Sequence, residues 1–138
     1  MRVWGGILAV LGLSALVGGM LFFGVVMAPL VFLHLPLPVA GPFIRAAFPW
    51  YYGYSIGSAA IAGLGFLLRR AWLALLLPLA VMAVTAWLWL YLLPYLDAMK
   101  AAHDVAGFTR GHQLSVWLNG AELLAATMLL IRVAAKVE

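Results

Sequence analysis

GHQLSVWLNGAE, residues 111–122, places four hydrogen-bonding side chains inside an otherwise apolar chain. At about 100° per residue, His112, Ser115, Asn119 and Glu122 share one helix face within an arc of roughly 80°. Leu114, Val116, Trp117 and Leu118 fall elsewhere on the same helix. Asn and ionised Glu facing lipid would cost roughly 2 to 3.5 kcal/mol each near the centre of a bilayer. A helix with this seam must therefore turn it toward other helices or trapped water, which predicts a bundle.

The bilayer itself follows from composition. Of 138 residues 67% are hydrophobic and 9% charged, with a mean hydropathy of +1.13. Soluble chains carry about 25% charged residues, so so apolar a chain is read as an integral membrane protein. At about 20 residues per span, four helices nearly use up the length. The expected fold is all-α: a single transmembrane domain, residues 1–138, forming a four-helix bundle with spans near 3–33, 49–68, 71–95 and 111–135.

Charge and cysteine content narrow the function classes. The +4 net charge comes from eight Lys and Arg against four acids, placed at the ends of apolar runs. Such cations anchor topology, and no dense basic run with interleaved aromatics points to nucleic acid. Cysteine is absent, which removes disulfides, thiolate catalysis and Cys-bound metals. The apolar run after Arg2 continues to Leu33, beyond the roughly 7 to 15 residues of a signal-peptide core, so a retained first span is expected.

In chain order, Pro29 is expected to bend the first helix, and Gly12, Ser14, Gly18, Gly19 and Gly24 allow a neighbour to approach closely. Pro36 and Pro38 end it. Ala40–Phe48 reads as a short interfacial helix or turn. Trp50, Tyr51, Tyr52 and Tyr54 read as an aromatic belt opening the second span. Gly53 and Gly57 form a GxxxG step that suits internal packing and also offers a contact for a homo-oligomer. Arg69-Arg70 turns the chain into the third helix, where Pro78 should kink and Thr85 could satisfy freed backbone groups. Asp97–Arg110 reads as a loop or interfacial helix leading to the seam.

With four spans, Arg2, Arg69, Arg70, Arg132 and Lys136 share one side, and Arg45, Lys100 and Arg110 the other. The positive-inside rule then puts both termini in the cytoplasm and His34, His103 and His112 at the outer face. His34 and His112 lie at similar depth, where paired imidazoles can hold a metal or a haem iron; solvated histidine is the commoner state. Glu122 falls near mid-membrane, where an acid serves as a proton relay or ion site, or as a hydrogen-bonded structural group. Asn119 and Ser115 read as interhelical glue. The scattered methionines read as packing. No Gly-rich phosphate loop, Ser-x-x-Lys, Gly-x-Ser-x-Gly or His-Glu-x-x-His motif is present, so enzymatic readings gain no support.

Phe22-Phe23, Ala28-Pro29-Leu-Val-Phe32, Ala40-Gly41, Phe48-Pro49-x-Tyr51-Tyr52 and Phe108-x3-His112-x2-Ser115-x3-Asn119 together resemble the transmembrane protein 205-like domain of unknown function. The resemblance spans nearly the whole chain and is most specific in its closing element. It implies a small four-span bundle of bacterial inner membranes, with a eukaryotic relative associated with drug resistance. The architecture is also similar to copper-resistance D-type proteins and to the haem-linked protoporphyrinogen oxidase of bacteria, which implies haem b or a copper or divalent ion as cofactors to test for.

The leading expectation is a polar pocket opening outward, lined by His112, Ser115, Asn119 and Glu122 and capped by His34 and His103, that binds a small ligand, ion or metal in transport or resistance. The alternatives are a haem-binding redox protein using His34 and His112, and a structural or assembly subunit that uses Gly53 and Gly57.

Overall fold

The computed structural model describes residues 1–136, and among them there is no β-strand. Four helices run antiparallel in sequence: α1 Arg2–His34, α2 Leu37–Leu68, α3 Trp72–Ala101 and α4 Val105–Ala134. Connections of two or three residues force each helix to fold back on its predecessor. α1 packs most extensively on α2, α2 on α3, and α4 on both α1 and α3, so the four close into a ring.

The first interface is set by small residues. A Cβ on Gly12 would collide with the backbone of Ala62, and one on Gly65 with the backbone of Ala9. Backbone therefore meets backbone between α1 and α2, as small residues permit in membrane helices. Gly53 and Gly57 take no part in this packing. A Cβ on Gly57 would meet nothing within 4 Å, and one on Gly53 only the Trp89 ring at 3.9 Å. Ser14, Gly18 and Gly24 also face outward, so of the small positions noted in the first span it is Gly12 and Gly19 that receive α2.

Two helices carry π-helical segments, Phe22–Met27 in α1 and Leu88–Leu92 in α3, each followed closely by a proline, Pro29 or Pro94. Proline lacks an N–H and crowds the carbonyl one turn back. Widening the preceding turn relieves that conflict without breaking the helix. Accordingly the Ala28 N–H reaches back to the Phe23 carbonyl and the Leu93 N–H to the Leu88 carbonyl. In α3 the departure from α geometry therefore falls at Leu88–Leu92 and not at Pro78, which sits buried in regular helix.

Helix boundaries differ from expectation in three places. Ala40–Phe48 is not a separate interfacial piece: α2 is continuous through Pro42 and Pro49. Ala40 and Ile44 are buried, and Arg45 is clamped to Asp97, so tertiary contacts hold the helix across the two missing N–H groups. Trp50–Tyr54 consequently lie near the middle of α2 instead of forming a belt at its start. The polar stretch Asp97–Arg110 is helix except for a turn at 102–104. His103 takes the left-handed conformation there (φ 54°), and Asp104 caps α4 by accepting a hydrogen bond from the Gly107 N–H at 2.9 Å. That cap starts α4 at Val105, ahead of the seam.

Buried apolar residues form two clusters. One, toward the chain termini, joins Leu13, Leu16, Ala62, Phe66, Val81 and Ala126; the other, toward the opposite end, joins Tyr52, Leu88, Leu92 and Leu93. The outward faces are strongly apolar as well, with Leu73 86%, Trp117 77% and Leu124 68% exposed. α1, α3 and α4 are each long and apolar enough to cross a membrane.

Candidate functional site

Between the two apolar clusters lies a layer of hydrogen-bonding side chains from α2, α3 and α4. Thr85 sits between Val81 and Leu88, Ser55 between Tyr52 and Ala59, and Glu122 between Leu118 and Ala126. Each is near the midpoint of its helix. Glu122, 8% exposed, accepts a hydrogen bond from the Thr85 hydroxyl at 3.3 Å. The Tyr51 hydroxyl donates to Asn119 Oδ1 at 3.2 Å. Asn119 Nδ2 in turn donates to the Ser115 carbonyl at 2.9 Å and lies 3.4 Å from Ser115 Oγ. Ser55 donates to the Tyr51 carbonyl at 2.9 Å, and Ser58 is buried one turn further along α2.

The seam of α4 is thus turned inward at Ser115, Asn119 and Glu122, but not at His112. The buried line of α4 runs through Gly107, Gly111, Ser115, Glu122 and Ala126. Gly111 takes the inward position because a side chain there would meet Leu96 and Tyr95, at 2.7 and 3.1 Å from its Cβ. His112, one residue on, is rotated to the surface and stacks on Phe108 of its own helix, with ring centroids 6.1 Å apart. Of the two partners the sequence offers Thr85, freed backbone groups and Glu122, its hydroxyl takes Glu122.

Residues of α2 complete the layer and were not singled out by sequence as site residues. Tyr51, Ser55 and Ser58 recur at the spacing of one helix face, the same signal that marks the seam of α4. Their pattern was masked by the neighbouring aromatics. Tyr51 also stacks on Phe23 of α1, ring centroids 4.3 Å apart, so it spans the bundle from the α1 side to Asn119.

Two cavities indent the bundle. A groove of about 470 Å³ opens between α1 and α2 beside Gly19, Phe22, Phe23, Trp50 and Tyr51. A second cavity of about 310 Å³ lies at the end of the bundle that carries the termini. Neither is lined by His112, Ser115, Asn119 or Glu122. Two side-chain links hold the polar layer across helices, Thr85 to Glu122 and Tyr51 to Asn119.

The three histidines sit on separate elements, His34 at the end of α1, His103 in the α3–α4 turn and His112 in α4. His34 lies on the Ala28–His34 segment, which packs against α2, whereas the contact of α1 with α4 is made by its Arg2–Leu21 part. His34, His103 and His112 are all exposed. Among the described residues no group of three His, Asp or Glu side chains is arranged to hold a metal ion.

At the end opposite the termini, outside the expected spans, Arg45 grips Asp97 with two hydrogen bonds of 2.8 and 2.6 Å. The guanidinium holds the Asp97 carboxyl below its ordinary value of 3.8, and the pair raises Arg45 in turn. This bidentate clamp ties α2 to α3.

A helical bundle with apolar outward faces and its hydrogen-bonding groups turned inward is a membrane protein with transmembrane helices. The chain belongs to the family described as a domain of unknown function, DUF4149, whose model matches residues 11–104. That stretch takes in most of α1, all of α2 and α3, and stops before α4 and its polar seam. Membership places the protein in an uncharacterised family and does not carry the transmembrane protein 205-like, copper-resistance or oxidase names. No curated protein and no solved structure matches the chain.

Proposed function

We propose that the four helices form a membrane-inserted bundle of the bacterial inner membrane with cytoplasmic termini, and that Glu122 is the binding site for a proton or small cation moved across it. The observation that carries this reading is the placement of Glu122: buried at the middle of α4, between two apolar clusters, with the Thr85 hydroxyl as its side-chain hydrogen-bond partner. A carboxylate in that setting requires a counter-charge, and a single hydroxyl donor supplies none. A proton or a cation does. Intramembrane acids are costly, and their usual work is to carry ions or protons.

Tyr51, Asn119 and Ser115 extend the polar layer toward the His112 end of α4. These are the groups that an ion or proton would meet between Glu122 and the side on which His103 and His112 are exposed. In this reading the arrangement is the occluded state, and access requires α4 to shift against α2 and α3.

The test is flux in proteoliposomes containing a pH-sensitive dye, driven by an imposed ion gradient. Wild type is expected to dissipate the gradient, and E122Q to lose roughly tenfold or more of that rate while remaining folded. Equal flux from E122Q and wild type, or no flux above protein-free vesicles in either, contradicts the reading and leaves Glu122 a structural hydrogen-bonding group.

A further inference from the structure

The cavity at the terminal end of the bundle lies where α2 ends, α3 begins and α4 ends. Its rim is cationic: Arg69 from the C-cap of α2, Arg132 from the last turn of α4, and Lys136 just beyond it. Its walls are apolar, supplied by Phe66, Leu73 and Leu129. No acid lines it. Of the described acids, Asp97 is paired with Arg45, Asp104 caps α4 at the opposite end and Glu122 is in the polar layer. Arg132 at a helix C-terminus is favoured by the helix dipole alone, but that does not account for three cations from two helices around one apolar cavity.

Local structure makes room for Arg69. A Cβ on Gly5 would lie 2.8 Å from Arg69 Cγ, and one on Gly6 would lie 3.5 Å from its Nη1. The side chain therefore lies across the start of α1, where two successive glycines leave it space. Beside it, the α2–α3 turn holds Arg70 in the left-handed region (φ 56°), where a residue with a Cβ is uncommon.

We infer that this cavity binds the phosphate headgroup of an anionic phospholipid, gripped by Arg69, Arg132 and Lys136, with the acyl chains descending along Leu73 and the neighbouring surface of α3. Charge complementarity selects an anion. The occupant is lipid and not a free anion because Leu73 and Trp72 beside the cavity are exposed apolar side chains, 86% and 62% accessible, that only hydrocarbon would cover. At about 310 Å³ the cavity is at the small end of ligand sites, sized for a headgroup and not for a whole lipid. Basic pockets between helices are a recurrent means of holding such headgroups. The inference rests on membrane insertion but not on the role given to Glu122.

Native mass spectrometry of the full chain released from detergent tests it, with phosphatidylglycerol and phosphatidylcholine of identical acyl chains titrated separately. Phosphatidylglycerol is expected to bind about tenfold more tightly or better, each neutralised rim cation lowering its affinity about fivefold. R69Q/R132Q should remove most of that preference, whereas K100Q/R110Q, with the same charge change at the other end, should keep it. If R69Q/R132Q fails to fold, K136Q at the exposed end of the chain reads the same site. Equal affinity of wild type for the two lipids overturns the proposal, as does an unaltered preference in R69Q/R132Q or K136Q. So does an equal loss in K100Q/R110Q, or displacement of the lipid by millimolar inorganic phosphate. E122Q should bind phosphatidylglycerol as wild type does, so failure of the flux assay and failure of the lipid assay are separable.

Discussion

Glu122, Asn119 and Ser115 show how far single residues could be read. Their spacing on one helix face, in a chain too apolar for water, required them to turn inward, and they do. His112 belongs to the same face by spacing and yet points out, because periodicity defines an arc without saying which edge of it meets the bundle. The edge is chosen by Gly111, whose missing side chain admits Tyr95 and Leu96. A glycine adds almost nothing to a hydrophobic pattern, so its choice was not legible. The Arg45–Asp97 clamp was illegible for a different reason: its partners lie on separate helices, 52 residues apart. With the Asp97 carboxyl held below its unfolded value, the clamp contributes stability above that value and loses it as pH falls through the lower folded one. Melting of the detergent-solubilised protein should therefore shift down on acidification below about pH 4, and D97N should lack that component. Both partners are two-fifths or more exposed, so solvent screening limits the effect to roughly 1 kcal/mol or less. Identical acid dependence in wild type and D97N would rule the clamp out as its source.

At the level of helices, the number of elements was readable from length and hydropathy, but their ends were not. The short piece expected at Ala40–Phe48 is instead part of α2, which continues through Pro42 and Pro49 with Ile44 buried and Arg45 gripped by Asp97. Pro29 and Pro94 did disturb their helices, one turn earlier than the prolines themselves, as π-helical widening. Small residues decide which faces meet, and here local motif and real contact diverge: the GxxxG step at Gly53 and Gly57 faces outward, while Gly12 and Gly65 carry the α1–α2 contact. Replacing Gly12 by Ala should destabilise the bundle by about 1 to 3 kcal/mol through overpacking against Ala62. Gly57→Ala, with open space around its Cβ, should be neutral or slightly stabilising because Ala favours helix over Gly by up to about 1 kcal/mol. Thermal unfolding in detergent compares the two, and similar behaviour of both variants would contradict the packing described.

Across the whole molecule the arrangement is apolar outside, apolar at both ends of the core, and polar in one layer between. Composition alone indicated the solvent, and the seam indicated the bundle. What neither could supply was the partner surface on α2, Tyr51, Ser55 and Ser58, because aromatic residues around it read as an interfacial belt until α2 was found to begin at Leu37. The same layer draws on three helices, with Thr85 of α3 meeting Glu122 of α4 and Tyr51 of α2 meeting Asn119 of α4. Since the chain contains no cysteine, single cysteines can be introduced along α4 without background. Spin labels at positions 115, 119, 122, 117 and 124 in reconstituted bilayers would report accessibility to oxygen, which concentrates in the acyl-chain region. Low accessibility at 115, 119 and 122 with high accessibility at 117 and 124 is the predicted result; labels at 119 and 122 as open to oxygen as those at 117 and 124 would contradict the inward polar layer.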